Sequence, residues 1–247
     1  MKIVVDAGHG PQTPGKRTPD DSMREFHFNS VVARYVRTGL LEYEGVQTMY
    51  THADDGSRDV TLKERTAAAN KWGADLLVSI HANAMGSGWG AARGIETFVY
   101  TTKPASSVAV AKAVQRQLIA ATGLFDRGVK AENLHMVRES HCPAILVECG
   151  FMTNRTEAEL LKSDVYRRKC AAAIVAGIAE ACGLKKKGDE DVKGEKVTVK
   201  VDGVKVADGV IEAGVTYVPA RQLVEAMGGS ITFDVANKVV QVKKGDK

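Results

Sequence analysis

Four side chains in the sequence have the types and places that metal-assisted hydrolysis requires. His9 lies in a glycine-rich turn after the first β-branched run, and His81 and Glu148 each close a later apolar run. Glu25 begins the first helix-like segment after the His9 turn. Two imidazoles and a carboxylate are the ligands of a catalytic zinc site, which leaves a coordination position for water and uses another carboxylate as the base. These residues predict a zinc site if the fold brings them together.

Each of these residues also has an ordinary structural interpretation. His9 fits a plain loop histidine, His81 a hydrogen-bonded core histidine, and Glu148 a partner of an arginine. The segment from Ser22 to Glu25 has the spacing of a capping box, in which the glutamate bonds back to the start of its own helix. Residue types and spacings alone leave both interpretations open.

The elements that must position these residues alternate between strands and helices. β-Branched or apolar runs predict strands at residues 2–6, 46–51, 76–80, 95–100 and 144–148. Amphipathic or alanine-rich segments predict helices at residues 25–43, 62–72, 107–122 and 164–182. This alternation predicts an α/β fold with a largely parallel sheet. Ligands of such a sheet collect at the carboxyl ends of its strands.

A second, smaller module follows the predicted domain of residues 1–184. Residues 185–195 are charged, contain glycine and show no periodicity, so we predict a linker there. Residues 196–247 predict a small β-β-α-β-β module with a turn at Asp208-Gly209. Since this module contains neither histidine nor cysteine, we expect it to bind or position and not to catalyse.

The composition of the chain excludes several classes of protein. Its 247 residues are 44% hydrophobic and 26% charged, values typical of globular proteins and not of disordered ones. No apolar run approaches the roughly 18 residues of a membrane-spanning helix. The net charge of +4 is spread along the chain, so no basic stripe predicts nucleic-acid binding. The four cysteines lack metal-binding spacing, and we expect buried free thiols.

Several motifs stand in order over residues 1–183. They are Asp6-Ala-Gly-His9-Gly10, Glu25, Leu62-x-x-Arg65, Ala68-Ala-Asn70, Ala74 to Asn83, Gly94 to Phe98, Arg127-Gly128-Val-Lys130 and Pro143 to Phe151. The series resembles the zinc-dependent N-acetylmuramoyl-L-alanine amidases, the family of bacterial autolysins and phage endolysins. The resemblance implies one zinc ion per chain held by His9, Glu25 and His81, with Glu148 as the catalytic glutamate. It also implies a twisted, largely parallel sheet of about six strands with helices on both faces. The scissile bond that it implies is the amide between N-acetylmuramic acid and L-alanine in peptidoglycan.

The C-terminal module resembles a different family. Its segment Thr216-Tyr-Val-Pro-Ala-Arg-Gln-Leu-Val-Glu-Ala-Met-Gly228, between short strands, is similar to the stalk-like domain named after the N-terminal domain of copper amine oxidases. Such modules accompany many surface and wall proteins. The resemblance therefore implies a cell-wall-binding module.

Three further positions bear on the site. Asn83 lies two residues beyond His81, and Trp89 lies in the glycine-rich loop that follows. Both are predicted substrate contacts, with a turn residue and an exposed loop aromatic as the alternatives. His52 stands where many members of the resembled family have an arginine, and we predict an ordinary surface or loop histidine there.

The combined prediction is a zinc-dependent peptidoglycan hydrolase that cleaves the amide between N-acetylmuramic acid and L-alanine. Two alternatives stay open, a zinc peptidase acting on the stem peptide and a wall-binding protein without activity. We expect a monomer, with dimerisation through the C-terminal module as the alternative, and no nucleic-acid partner or membrane insertion. The sequence begins without a signal-peptide pattern, which predicts a phage-type endolysin made in the host cytoplasm and acting on the cell wall. A secreted autolysin cloned without its leader is the alternative.

Overall fold

The chain divides into two compact units, Met1–Lys187 and Gly188–Lys247. The computed structural model describes residues 1–187, 195–234 and 239–245. Most of the predicted linker, residues 188–194, lies outside the described residues. In the described part of the chain, no helix combines the length and the apolar character that a membrane crossing needs.

Within residues 1–187, one six-stranded sheet forms the centre of the first unit. Its strands are β1 (Lys2–Ala7), β2 (Gln47–Tyr50), β3 (Leu76–Asn83), β4 (Ile95–Val99), β5 (Asp126–Ala131) and β6 (Ala144–Phe151). Their spatial order is β2-β1-β3-β6-β4-β5. The first four strands in this order are parallel, whereas β4 is antiparallel to β6 and parallel to β5. The predicted α/β fold with a largely parallel sheet is confirmed.

Six helices within residues 1–187 surround this sheet. They are α1 (Glu25–Leu40), α2 (Leu62–Trp72), α3 (Ala105–Thr122), α4 (His135–Arg138), α5 (Arg155–Lys162) and α6 (Asp164–Cys182). Helices α1, α3 and α6 share one core with Ile3 and Val5 of β1. Helices α2 and α4 share a second core with Val4 of the same strand. Because successive side chains of β1 enter opposite cores, the strand is a continuous apolar run in the sequence.

The two strands that carry the predicted site residues are longer than predicted. β3 continues to Asn83 and β6 to Phe151, so His81 and Glu148 lie within strands and not just beyond them. Pairing between β3 and β6 extends through both residues, which are partners in the register. Strand β5 was missed altogether, because it is a half-buried edge strand of mixed, largely polar sequence with no apolar alternation.

The second unit contains one strand more than predicted before its helix. Its elements are β7 (Glu195–Val201), β8 (Val204–Glu212), β9 (Val215–Tyr217), α7 (Ala220–Ala226), β10 (Ser230–Asp234) and β11 (Val239–Lys243). Strands β7-β8-β9 form one antiparallel sheet, and β10 pairs with β11. The turn predicted at Asp208-Gly209 is wrong, because both residues lie inside β8. Gly209 allows β8 and β9 to lie close together, since a Cβ at residue 209 would lie 2.7 Å from the carbonyl oxygen of Tyr217.

Candidate metal centre

The fold brings His9, Glu25 and His81 together at one edge of the sheet. His9 lies in the turn after β1, Glu25 is the first residue of α1, and His81 lies near the end of β3. His9 Nε2 is 3.2 Å from Glu25 Oε2, and His81 Nδ1 is 3.0 Å from Glu25 Oε1. One ligand atom of each residue lies within 4.8 Å of the other two. The three side chains form a cluster that could hold one metal ion.

Glu25 does not cap its own helix. The N-cap of α1 is Arg24, which makes no side-chain capping hydrogen bond. The carboxylate of Glu25 is 3% exposed and accepts hydrogen bonds from Asn29 Nδ2 at 3.3 Å and from the backbone N–H of Ala82 at 3.2 Å. The capping-box interpretation that pairs Glu25 with Ser22 is therefore wrong, because the carboxylate faces the histidines and not the start of its helix.

Contacts within the cluster shift the protonation of its members. Burial would raise the pKa of Glu25, but the hydrogen bonds with His81 and His9 hold that pKa well below its ordinary value. Burial would lower the pKa of His81, but the contact with Glu25 raises it. The cluster therefore keeps an ionised carboxylate between two imidazoles and attracts positive charge, whether a proton or a metal ion.

Hydrogen bonds behind His81 determine which of its nitrogens faces Glu25. Ser79 Oγ donates to Asp6 Oδ2 at 2.6 Å and lies 3.1 Å from His81 Nε2. Since the hydroxyl gives its single proton to Asp6, it accepts from His81, and the network places the ring proton on Nε2. Nδ1 faces Glu25 Oε1, where it can bind either a proton or a metal ion. Two acceptors 3.0 Å apart need a cation between them, so the donor set fits a divalent metal ion.

A buried ion pair supports the turn that carries His9. Arg65 Nη1 is 2.7 Å from Asp6 Oδ1, and the two side chains are 2% and 1% exposed. Arg65 also donates to the backbone carbonyls of Ala7 and His9. These bonds hold His9 at φ 60°, a left-handed conformation that is unfavourable for a residue with a Cβ. Asp6 and Arg65 both occur in the sequence motifs. Arg65 lies on the same buried face of α2 as Ala69, and a charge in that position indicates a buried partner of opposite charge.

We expect Asp6→Asn to lower the free energy of unfolding of the first unit by about 3–5 kcal/mol, because the substitution leaves Arg65 buried without a counter-charge. Denaturant unfolding at neutral pH measures the loss. Arg116→Gln is the control, since it breaks an exposed pair with Glu180 and should cost less than about 1 kcal/mol. Equal losses in the two variants would contradict a structural role for the buried pair.

The same ion pair predicts how stability depends on pH. Burial would raise the pKa of Asp6, but Arg65, Ser79 and Thr51 hold it below its ordinary value of 3.8. A carboxyl with a lowered folded-state pKa contributes stability that is complete above its unfolded pKa and is lost as the pH falls through its folded pKa. The stability difference between the native chain and Asp6→Asn should therefore be constant above about pH 5 and shrink below about pH 4.

Glu148 lies beside the ligand cluster on the neighbouring strand. Its Cα is the register partner of His81. Its Oε2 is buried and has no hydrogen-bond partner among the described residues. Burial raises the pKa of Glu148 to about 8, and the charges of Glu25 and Glu96 add to the rise while His81 opposes it. A carboxyl of this kind can take up and release a proton during a reaction near neutral pH.

A second charged cluster lies on β4 and β5, on the far side of Glu148 from His81. Sequence reasoning assigned it no role. Glu96 on β4 is the register partner of Glu148 and is 4% exposed. It accepts hydrogen bonds from Arg127 Nε at 2.7 Å, from Lys130 Nζ, and from Asn83 Nδ2 at 2.6 Å. The amide of Asn83 thus bonds to Glu96, and its contact with substrate stays a prediction. No sequence signal reveals this cluster, since it depends on how β4 pairs with β5 on one side and with β6 on the other.

Trp89 lies in the loop after β3 and is half-buried. The guanidinium of Arg155 lies over its ring, 4.5 Å from the centroid. The next residue, Gly90, donates its N–H to the carbonyl of Thr153 at 2.8 Å, which ties the loop to the segment after β6. The indole is therefore held in place by Arg155, and its contact with substrate stays a prediction.

His52 is in a loop, as predicted, but it is buried and not at the surface. Its Nδ1 accepts a hydrogen bond from the backbone N–H of Ala7 at 3.1 Å. Burial lowers the pKa of His52, so a neutral ring is favoured. The imidazole is buried because it completes the hydrogen bonding of the end of β1.

A cavity of about 330 Å³ opens beside the two histidines of the cluster. Thr13, Asp59, Leu62 and Met136 contribute to its walls. Gly8 lies on its rim, and a Cβ at this position would overlap the imidazole of His81. The absence of a side chain at residue 8 therefore lets the turn approach the ligand cluster closely.

Comparison with known protein families covers both units. Residues 3–180 match the sequence profile of the N-acetylmuramoyl-L-alanine amidases, and residues 200–247 match that of the copper amine oxidase N-terminal domain. The sporulation-specific N-acetylmuramoyl-L-alanine amidase of Bacillus subtilis (strain 168) is 35% identical over 187 residues, which cover 75% of this chain and 70% of that protein. The endolysin of Bacillus phage SPP1 is 33% identical over 195 residues, with coverages of 75% and 67%.

Solved structures show the same similarity. The catalytic domain of CwlV, an N-acetylmuramoyl-L-alanine amidase from Bacillus (Paenibacillus) polymyxa var. colistinus, superposes with a TM-score of 0.68 at 33% identity, covering 74% of this chain and 99% of that one. An N-acetylmuramoyl-L-alanine amidase from Clostridium difficile 630 superposes with a TM-score of 0.69 at 32% identity, with coverages of 78% and 98%. Both resemblances stated from the sequence motifs are confirmed.

Proposed function

This chain belongs to the N-acetylmuramoyl-L-alanine amidase family, and from that premise we propose that it is a zinc-dependent peptidoglycan hydrolase. It cleaves the amide that joins the lactyl group of N-acetylmuramic acid to L-alanine. The observation that carries the proposal is the convergence of His9, Glu25 and His81 within 4.8 Å. The neighbouring Glu148, whose Oε2 lacks a partner among the described residues, supplies the second carboxylate.

One zinc ion would be held by His9, Glu25 and His81. When bound, zinc supplies Lewis-acid polarisation of the scissile carbonyl and lowers the pKa of water. Ser79 and Asp6 hold His81 with Nδ1 toward the ligand set, as the outer partners of metal-binding histidines commonly do. The protein thus presents two imidazoles and one carboxylate to a single ion.

Glu148 moves the proton in the proposed reaction. As the hydroxyl of water bonds to the carbonyl carbon, Glu148 accepts the released proton. The C–N bond then breaks, and Glu148 returns the proton to the leaving amine of L-alanine. The raised pKa of Glu148 means that its ionised carboxylate is a stronger proton acceptor than an ordinary carboxylate.

Digestion of purified peptidoglycan, followed by mass spectrometry, tests the proposal. The expected products are intact glycan strands and free stem peptides that begin with L-alanine. Cleavage between stem residues would instead establish a zinc peptidase. Retained wall binding without any product from the zinc-loaded protein would establish a non-catalytic binder, and either outcome would contradict the amidase.

We also propose that the C-terminal module of residues 196–247 tethers the enzyme to the wall. Tethering raises the local concentration of substrate and leaves the chemical step unchanged. Residues 185–187 hydrogen-bond to the segment after α1, through Glu44 N–H to the carbonyl of Lys185 at 2.8 Å and Lys187 N–H to that of Glu42 at 2.7 Å. We therefore place the truncation after Lys187, so that these hydrogen bonds are kept.

Truncation after Lys187 should leave activity on small soluble muropeptides unchanged and reduce lysis of intact walls, most visibly at low enzyme concentration. Rates on both substrates and thermal melting are measured on the same samples. Equal lysis of walls by the full-length and truncated chains would contradict tethering. A much lower melting temperature of the truncated chain, together with loss of both activities, would show that the module stabilises the enzyme instead.

For delivery to the wall we propose the phage-endolysin type, which the similarity to the endolysin of phage SPP1 supports. The alternative is a secreted autolysin, which the similarity to the sporulation-specific amidase supports. Sequencing the native gene upstream of the codon for Met1 decides between them. A secretion signal encoded in frame there would contradict the phage type.

A further inference from the structure

Positive charge is in excess on the sheet beside Glu148. Two cations, Arg127 and Lys130, share the single buried carboxylate of Glu96. Burial would raise the pKa of Glu96, but the hydrogen bonds from Lys130 and Arg127 hold it below its ordinary value, so the carboxylate is ionised at neutral pH. These three side chains together therefore carry one net positive charge.

Both cations keep hydrogen-bond donors for a ligand. Arg127 uses Nε on Glu96 and Nη1 on the carbonyl of Arg93 at 3.4 Å, and its Nη2 has no hydrogen-bond partner among the described residues. The ammonium of Lys130 has three N–H groups and uses one on Glu96. The side chains of Arg127 and Lys130 are 23% and 39% exposed, whereas Glu96 is buried. The buried carboxylate of Glu96 therefore holds two partly exposed cations in place.

This cluster lies in line with the reacting groups. His81, Glu148 and Glu96 occupy paired positions on β3, β6 and β4, so their side chains share one face of the sheet. Neighbouring strands are about 4.8 Å apart, which places Glu96 about 10 Å from His81. An extended peptide covers about 3.4 Å per residue, so a distance of about 10 Å corresponds to the second residue after the scissile amide together with its side group.

The charge of the proposed substrate differs on the two sides of the scissile amide. On the glycan side the lactyl carboxyl is consumed in the amide, and the sugar offers neutral hydroxyl and acetamido groups. On the peptide side, free carboxylates follow the first alanine. Because a guanidinium and an ammonium bind carboxylates through charge-assisted hydrogen bonds, the cluster matches the peptide side.

We propose that Arg127 and Lys130 form a subsite for a free carboxylate on the second residue of the stem peptide. Glu96 is a positioning residue because its carboxylate holds both cations, and Asn83 supports it by donating a hydrogen bond to that carboxylate. The inference rests on the proposed amidase function and adds a substrate preference to it. Peptidoglycan with a free carboxylate at this residue is hydrolysed faster than peptidoglycan in which that group is a carboxamide.

Two synthetic substrates of equal size test the subsite. Both are N-acetylmuramoyl tripeptides with an amidated C-terminus, and they differ only in whether the second residue is D-glutamate or D-isoglutamine. The zinc-loaded full-length chain should favour the acid by about five- to tenfold in kcat/KM, the effect expected of partly exposed charge pairs. The preference should arise mainly in KM, since the contact is the same before and during the reaction, and should weaken as salt is added.

Variants separate binding of the carboxylate from a structural role. Lys130→Gln and Arg127→Gln should bring the acid-to-amide ratio toward one, while Lys130→Arg keeps the charge and the ratio. Arg116→Gln, which breaks an exposed pair with Glu180 and touches neither Glu96 nor its two cations, is the control that should leave the ratio unchanged. A structural role would lower both rates together and leave the ratio as it is, and that outcome would overturn the subsite.

A binding measurement keeps the subsite distinguishable from the amidase proposal. Calorimetric titration with the two free tripeptides needs no turnover, and the acid should bind about five- to tenfold more tightly than the amide. If neither muropeptide is cleaved but the acid binds more tightly, the amidase proposal fails and the carboxylate subsite stands. Equal cleavage of both substrates, or equal binding of both peptides, would overturn the subsite and leave the amidase proposal intact.

Discussion

Glu25→Ala should abolish both zinc binding and hydrolysis. The substitution removes the single anionic ligand and leaves two imidazoles whose positions Glu25 now sets through contacts of 3.0 and 3.2 Å. Loss of outer partners alone commonly weakens metal binding by about 10–100-fold, so loss of this ligand should weaken zinc binding by more than about 100-fold. Competition with a chromogenic chelator measures the affinity, and metal analysis measures the zinc content.

The metal itself can be removed in a matched experiment. Dialysis of the native chain against a strong chelator should abolish hydrolysis, and added zinc should restore it. Glu180→Ala, an exposed glutamate on α6, is the control that should keep both zinc and activity. Stoichiometric zinc at native affinity in Glu25→Ala would remove Glu25 from the ligand set, and melting curves of both variants establish that the fold is kept.

Glu148→Gln should keep the zinc and the fold but lower kcat by about 10²–10⁴, the range expected when a general base is removed. The amide has the shape of the carboxyl but cannot accept the proton of water. The native Oε2 has no partner among the described residues, so the substitution breaks no hydrogen bond of that atom. Zinc content, melting temperature and turnover are measured on one preparation.

Two results would contradict this role for Glu148. Substantial hydrolysis by Glu148→Gln would show that another group accepts the proton. Loss of zinc from the variant would place Glu148 in the ligand set instead. The comparison with Glu25→Ala therefore separates a residue that holds the metal from one that moves a proton.

Local patterns in the sequence were sufficient to predict the class of fold. Strand β1 buries Ile3 and Val5 in one core and Val4 in the other, and such a strand is a continuous apolar run. Helix α2, with a capping box from Thr61 to Glu64 and Gly73 after its last residue, was predicted with its observed bounds. Periodicity and capping are properties of neighbouring residues, so they can be recognised without the tertiary structure.

Side-chain partners across the sheet could not be predicted in this way. The segment before α1 has capping-box spacing, yet burial against two histidines turns the Glu25 carboxylate away from the start of its helix. Similarly, Asp208-Gly209 has the composition of a turn but lies inside β8, where the glycine admits a neighbouring strand. In both cases contacts distant in the sequence outweigh the local preference.

The sequence by itself determined the ligand types, their order and the family resemblance, because these depend only on which residues are present and in what succession. Only the tertiary structure decided that His81, Glu148 and Glu96 lie side by side on adjacent strands, because strand register sets which side chains are neighbours. It also decided the orientation of His81, through a serine and an aspartate on two strands. Register is strongly specified only where whole sheet faces are buried, and so it arises when the sheet assembles and not within any one segment.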